Sequence, residues 1–438
     1  MRKLTPGAPV AISFAVIVLY VAILFSARNS MLAHLNEFGR RFSAIYAAIF
    51  AFIFILIVAA MNGVLNFGFD KWKAPAVSLL TYCVPLIAAL LGYAWLQREE
   101  MMDRYFLIYS AVTSVALIGT VLEYLRVPLR ILGMVGFEGD YIRHLPGIQI
   151  RLLSGFYRGP DIMAWHASTL TAIAIAMTLR YGSGKRMLLW GSVAAWGFLN
   201  CMISGRRKAI YFVVVFCAAF LWRYVRRLRL SQVIAFVMVL LTLGLVVRRL
   251  ATDENASAYT HGAKTSEREL AQRLEGGAFE TFAQFGLMGA GLGSATQGVY
   301  HLLDNRPLGE NIGWQEGGLG KLAVEVGLPG ILALMVIAWV VIRLLLRLTA
   351  VPDVHGSSQF LRVTLFAMVT ANVAGFIASA QAYTDAVLAL TAGFYVGCLF
   401  ASAALDERVA AAEKRAQELA TAEAARRPGG LRPLPSMA

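Results

Sequence analysis

Apolar runs of about 18 residues or more, the length that crosses the hydrocarbon of a bilayer, recur along most of this chain. One of them, AIYAAIFAFIFILIVAAMNGVL (44–65), carries no charge from end to end. A soluble core of comparable size interleaves such runs with charged residues, whereas this chain of 438 residues is 58% hydrophobic and only 15% charged. Closed barrels are excluded, because they show alternating segments of about 10 residues instead of continuous apolar ones. The expected fold is therefore all-α: a polytopic helical membrane protein.

The runs place spans near 8–26, 43–66, 74–96, 105–125, 159–180, 187–203, 208–222, 231–248, 321–346, 361–380 and 384–403, about eleven in all, or ten to twelve. No small-residue cleavage site follows the first, so it reads as an anchor and not as a signal peptide. Two long connections, 126–158 and 249–320, are polar and glycine-containing, too irregular to lie exposed in lipid. The membrane domain is thus expected to fill 1–403. Beyond it, 404–438 reads as a solvated Ala/Glu/Arg-rich helix followed by a disordered tail.

The formal charge is +14 and the pI near 9.8. Its cations gather at the ends of apolar runs, which points to membrane topology and lipid headgroups and away from nucleic acid. Cys83, Cys201, Cys217 and Cys398 fall in or beside apolar runs without paired spacing, as small buried hydrophobes do. No Asp-x-Asp or histidine cluster suggests a metal, and no cofactor is expected.

Orientation follows from the short loops. WRYVRRLRL (222–230) is the densest basic loop, so it is assigned to the cytoplasm. Alternation then puts QREEMMDR, RYGSGKR, the 343–360 connection and the C-terminus on the same side. Both long loops and SGRRK (204–208) face outward. Eleven spans also put Arg2 and Lys3 outside, a conflict that a miscounted N-terminal span would remove.

Three consecutive cations, Arg206, Arg207 and Lys208, kept outside against that bias are better placed to bind an anion than to set topology. The loop 126–158 adds Arg126, Arg130, Arg143, Arg151 and Arg158. Guanidinium groups match phosphate oxygens bidentately, which suits a diphosphate. The alternative is that these side chains meet headgroup phosphates.

Three stretches in order resemble the O-antigen polymerase and O-antigen ligase superfamily of membrane glycosyltransferases: RLLSGFYRGPDIMAWHASTLTAIAI (151–175), SGRRKAIYFVVV (204–215), and GAGLGS (289–294) followed by WQEGGLGKLAVEVGLPGILALM (314–335). The resemblance covers roughly 150–335 and rests on order and spacing, since no single motif is specific. It implies a GT-C-like membrane enzyme that needs no metal and transfers a saccharide, with inversion, from an undecaprenyl-diphosphate lipid to an acceptor hydroxyl. Membrane lipids and polysaccharide-assembly proteins such as a chain-length regulator are the further implied partners.

Carried over residue by residue, the family's turn arginine falls on Arg207, with Arg206 one position away. Arg151 and Arg158 are further diphosphate ligands or else headgroup anchors. The family's His-Asn pair stands nine residues before its Glu-x-Gly. Here that position is Glu316, followed by Gly317, so a carboxylate replaces the expected imidazole. Either Glu316 is the acceptor-activating base or the role passes to a neighbour such as Glu310 or His301. Glu325, at the start of an apolar span, reads as a structural partner to an arginine of the cavity, since an uncompensated charge there is costly, or else as a substrate contact. His166 is either a buried, hydrogen-bonded histidine or a substrate contact. GAGLGS lacks the preceding strand and the following Lys-Ser/Thr of a nucleotide loop, and a tight turn explains its glycines better. A polymerase is favoured over a ligase by Glu316. A lipid-linked-oligosaccharide flippase is the rival of another class, although no internal repeat of the kind such transporters show is visible.

Overall fold

The structure, a computed structural model, describes residues 28–129, 131–133, 142–145, 148–252, 282–295, 317–350 and 358–405, with a few helical positions between 414 and 421. Eleven α-helices are found among them: α1 (Arg28–Arg41), α2 (Ser43–Phe67), α3 (Lys73–Trp95), α4 (Glu99–Tyr124), α5 (Pro160–Tyr181), α6 (Gly184–Ile203), α7 (Arg207–Tyr224), α8 (Leu230–Thr252), α9 (Gly318–Ala350), α10 (Ser358–Ala378) and α11 (Ala386–Ser402). Seven are long and apolar enough to cross a membrane: α2, α3, α4, α5, α8, α9 and α10. This is a helical membrane protein. The span expected at 8–26 lies outside the described residues, as does most of the helix and tail expected after 404.

Burial separates the lipid-facing helices from the central one. On α2, Phe50, Phe54, Met61 and Leu65 are exposed, while Ile45, Phe52, Leu56, Gly63 and Phe67 are covered. A belt of bare aliphatic and aromatic side chains on this scale suits lipid and would be a liability in water. By contrast, α5 is buried on nearly every side and packs against α4, α6, α7, α8 and α10. Pro160 supplies the pre-set first turn of α5. Gly182, in the left-handed region at φ 64°, ends it.

Close helix approach depends on small residues, as expected where lipid gives no hydrophobic incentive for association. Gly393 and Gly397, four apart on α11, lie against the backbone of Pro85 and Ala89 on α3, and Gly92 of α3 faces Phe394. On α6, Gly197 faces Ala167 and Thr171 of α5.

Hydrogen bonds and ion pairs fix which helix ends meet. At one end Arg180 bridges Glu99 (3.0 Å) and Asp103 (2.7 Å). There Arg223 also donates to the Leu346 carbonyl and to Thr349 Oγ1, and Gln232 to the Leu179 carbonyl. The opposite end gathers the α6–α7 turn, the start of α5, the α10–α11 turn, the segment 150–152 and the start of α9 beside Phe376. This is the alternation expected from the basic loops.

Two features depart from a plain helical bundle. Within the 126–158 connection, β1 (Ile142–Leu145) and β2 (Ile148–Arg151) pair antiparallel, Ile142 opposite Arg151 and Leu145 opposite Ile148, a short hairpin in an otherwise helical fold. The helix α9 is also interrupted at Gly327 (φ 63°, ψ −167°), just before Pro329. The GAGLGS segment enters beside this break. Leu328 donates to the Leu287 carbonyl, Ala290 to that of Val324, and Leu292 to that of Ala59 on α2. Irregular backbone at membrane depth is tolerable where protein satisfies its polar groups in this way.

Candidate anion-binding site at one end of the bundle

The turn between α6 and α7 is built by Ser204 and Gly205. Gly205 has φ 69°, and a Cβ there would meet Leu152 and Ile150, so the hairpin packs directly on the turn. The Ser204 hydroxyl accepts from the Arg206 N–H at 3.0 Å, holding the chain as it enters α7. Three cations consequently open α7, close to the first turn of α5.

Asp161, in that first turn, receives two of them. Arg206 Nη2 lies 3.0 Å from Asp161 Oδ2, and the Lys208 ammonium pairs with Oδ1. Lys208 also donates to Ser379 Oγ in the α10–α11 turn at 2.6 Å, tying three elements together. Arg143, on β1, acts electrostatically on the same carboxylate. The side chains of the central trio are only 13% to 20% exposed, so water screens them little. The N-termini of α5 and α7 both arrive here with no side-chain cap, adding the partial positive charge of their leading N–H groups. The start of α11 differs, since Asp385 caps it through the Val387 and Leu388 N–H groups.

The expected site residues divide as follows. Arg206 lies in the cluster, and Arg207 follows it in the chain with its terminal nitrogens out of contact with solvent. Arg151 ends the adjoining hairpin, with Nη1 donating to the Glu123 carbonyl at 3.2 Å. Arg158 is exposed, two residues before the start of α5. The carboxylate of Glu123 accepts from the Ser154 and Gly155 N–H groups at 2.8 and 2.6 Å, pinning the segment between hairpin and α5. Glu316, Glu310 and His301 lie outside the described residues.

His166 is buried one turn further into α5. Its Nδ1 is 2.8 Å from Tyr109 Oη, and its ring stacks on Tyr157 at 4.9 Å. Burial pushes the Tyr157 phenol well up from its ordinary pKa, so it remains neutral. Glu325 lies in a separate buried cluster. It accepts from Tyr82 Oη (2.7 Å), Ser78 Oγ (3.1 Å) and the Gly293 N–H (3.3 Å), and Lys321 Nζ is 3.4 Å away. The cation beside it is a lysine, where an arginine of the cavity was expected.

Beside the Asp161 pair, a crevice is lined on α5 by Asp161, Ala164, Trp165 and Ser168, one face of the helix at i, i+3, i+4 and i+7. Lys208, Ala209 and Phe212 of α7, with Gly375, Ser379 and Tyr383, complete it. Its floor is braced by Asn372, whose Oδ1 accepts from Trp165 Nε1 at 3.0 Å and from Tyr383 Oη at 3.2 Å. Asp161 and Ser379 were not expected as site residues. Their only sequence signal is a carboxylate in the turn preceding an apolar run, and a hydroxyl between two such runs.

No protein-family profile matches the chain, and no curated protein is significantly similar to it.

Proposed function

We propose that this protein is a membrane glycosyltransferase that binds an undecaprenyl-diphosphate-linked saccharide at the cation cluster. Its role is to polymerise lipid-linked repeat units for an O-antigen or exopolysaccharide. The observation that carries the reading is the gathering of poorly exposed cations where α5, α7 and the hairpin meet: Arg206 and Lys208 pair with Asp161, Arg143 acts on the same carboxylate, and Arg207 stands between the first two in the chain. The order of motifs over 151–335 supplies the reaction class.

In this reading the acceptor oxygen attacks the anomeric carbon as the bond from that carbon to the phosphate oxygen breaks. The electron pair leaves with the lipid diphosphate. Arg206, Arg207 and Lys208 stabilise that growing charge from fixed positions in a poorly screened site, with Arg151 and Arg158 holding the outer phosphate. Glu316 takes the acceptor proton. No cofactor is required. The cluster faces away from the cytoplasm of a bacterial inner membrane, with the C-terminus inside.

Replacing Arg207 by Ala tests this, since a polymer still made and elongated at the normal level would remove the diphosphate role. In a deletion strain, loss of long chains with single repeats still attached to the final acceptor marks a polymerase. Free lipid-linked polymer without attachment marks a ligase that delivers it to a lipid A-core acceptor. Lipid-linked units retained on the cytoplasmic face mark a flippase. The interruption of α9 favours this last reading, because transporters build sites at broken helices.

A further inference from the structure

We propose that two basic turns at the other end of the bundle, α5–α6 and α7–α8, form one binding site for an anionic phospholipid carrying two phosphodiesters. Lys185 and Arg186 hold one phosphate, and Arg227 and Arg229 hold the other. This lipid site is independent of the diphosphate reading. Asp161 opens α5 and Leu179 lies in its last turn, about 27 Å apart at 1.5 Å per residue.

Packing brings the two turns together. Gly182 closes α5, and a Cβ there would come within 3.3 Å of Ser231 Oγ and 3.5 Å of Gln232 Cγ, in the first turn of α8. Gln232 fastens both sides. Its Nε2 donates to the Leu179 carbonyl at 2.9 Å, and its Oε1 accepts from the Arg229 N–H at 2.8 Å. Lys185 and Arg186 then occupy the first turn of α6, while Arg227 and Arg229 stand just before α8. Arg227 and Arg229 both act electrostatically on Tyr224, at the end of α7.

The charge at this end asks for an anion. All four side chains are exposed, and none pairs with a carboxylate among the described residues. Glu99 and Asp103 are taken by Arg180, and Glu100 acts on Asp103 within that same group. Arg186 rests over the Tyr181 ring, 5.3 Å from its centroid, which leaves its charge uncancelled. Cations in the first turn of α6 also work against the helix dipole, which favours an anion there. The start of α6 has no side-chain cap, so its leading N–H groups add to the attraction.

The surroundings select a lipid as the source of that anion. Leu188 and Leu189 on α6, with Leu230 and Ile234 on α8, are 55% to 76% exposed directly beside the cations. Acyl chains of a lipid held at the turns run down these faces. Trp222, exposed next to Arg223, is the side chain expected at the level of the headgroups. One phosphate answers one pair of cations, whereas two linked phosphates answer both turns. Basic pockets between membrane helices take such headgroups. The bound lipid neutralises four cations and braces the last turn of α5, the central helix.

Native mass spectrometry of the purified full-length protein in detergent micelles reads the binding. Diphosphatidylglycerol, phosphatidylglycerol and phosphatidylcholine are compared at matched phosphate. Wild type should retain the first most strongly and the last least. Lys185→Gln with Arg186→Gln, and separately Arg227→Gln with Arg229→Gln, should each weaken diphosphatidylglycerol by about 30-fold. Lys73→Gln, at an exposed position opening α3, should leave it unchanged. Arg227→Lys with Arg229→Lys keeps the charge and should keep the lipid, which separates lost charge from a folding defect.

Equal retention of the one-phosphate and two-phosphate lipids by wild type overturns the site, as does no retention of either. Diphosphatidylglycerol binding that survives both paired glutamine substitutions overturns it too. Loss confined to one pair contradicts a headgroup spanning both turns. A loss in Lys73→Gln as large as in the paired variants would show only a diffuse attraction to the whole surface, and no site.

Discussion

The carboxylate of Glu325 accepts a hydrogen bond from the backbone N–H of Gly293, 32 residues earlier in the chain. With Lys321, Tyr82 and Ser78 it joins α9, α3 and the glycine-rich segment at the point where α9 breaks. Glu325→Ala removes the anion and leaves Lys321 buried without it. The expected loss is about 3–5 kcal/mol, seen as a lower unfolding midpoint and poor accumulation in the membrane. Lys321→Met in the same chain should recover much of it. A single variant as stable as wild type would show that the cluster does not hold the break.

Gly397 has no room for a side chain against Ala89. Gly397→Val should cost about 1–3 kcal/mol or more by forcing α11 away from α3. Val387→Ala, at an exposed position of α11, should change stability by less than about 0.5 kcal/mol. Denaturant titration in mixed micelles compares the two, and similar losses would contradict the close packing described.

Asn372→Leu strips the partner from Trp165 and weakens the hold on Tyr383. The Trp165 N–H then loses its acceptor inside the bundle, at about 1–3 kcal/mol, while Tyr383 keeps its bond to the backbone carbonyl of residue 372. Tyr383→Phe removes only one hydroxyl and should cost less. Thermal unfolding in nanodiscs orders the two variants, and the reverse order would place the brace elsewhere.

Glu316→Gln should lower polymer formation by about 10²-fold or more while the lipid-linked donor still binds, as loss of a general base requires. Normal polymer from this variant would move the base to Glu310 or His301, which the corresponding single substitutions would identify.

The spans were legible because lipid demands it: the exposed side chains of α2, Phe54 and Leu65 among them, must be apolar whatever they pack beside. The alternation of loops was legible from arginines such as Arg227 and Arg229. The hairpin was not foreseen, although IRHL and IQIR flank a Pro-Gly pair, the punctuation of a turn between strands. The break in α9 was equally present in the letters GLPG, but a helical reading absorbs one glycine and one proline easily. The pairing of Asp161 with Arg206 and Lys208 could not be read locally. It links positions 45 and 47 residues apart, and only the packing of α5 against α7 brings them together.

If the cation cluster stands on the extracytoplasmic side, where a lipid diphosphate is released, the segments beside it are reachable from outside the cell. With Cys83, Cys201, Cys217 and Cys398 replaced, single cysteines at the exposed positions 158 and 229 can be challenged with a membrane-impermeant maleimide on intact cells. Arg158→Cys is expected to label at once, and Arg229→Cys only after the membrane is opened. The opposite pattern would put the cluster in the cytoplasm and contradict the proposed enzyme.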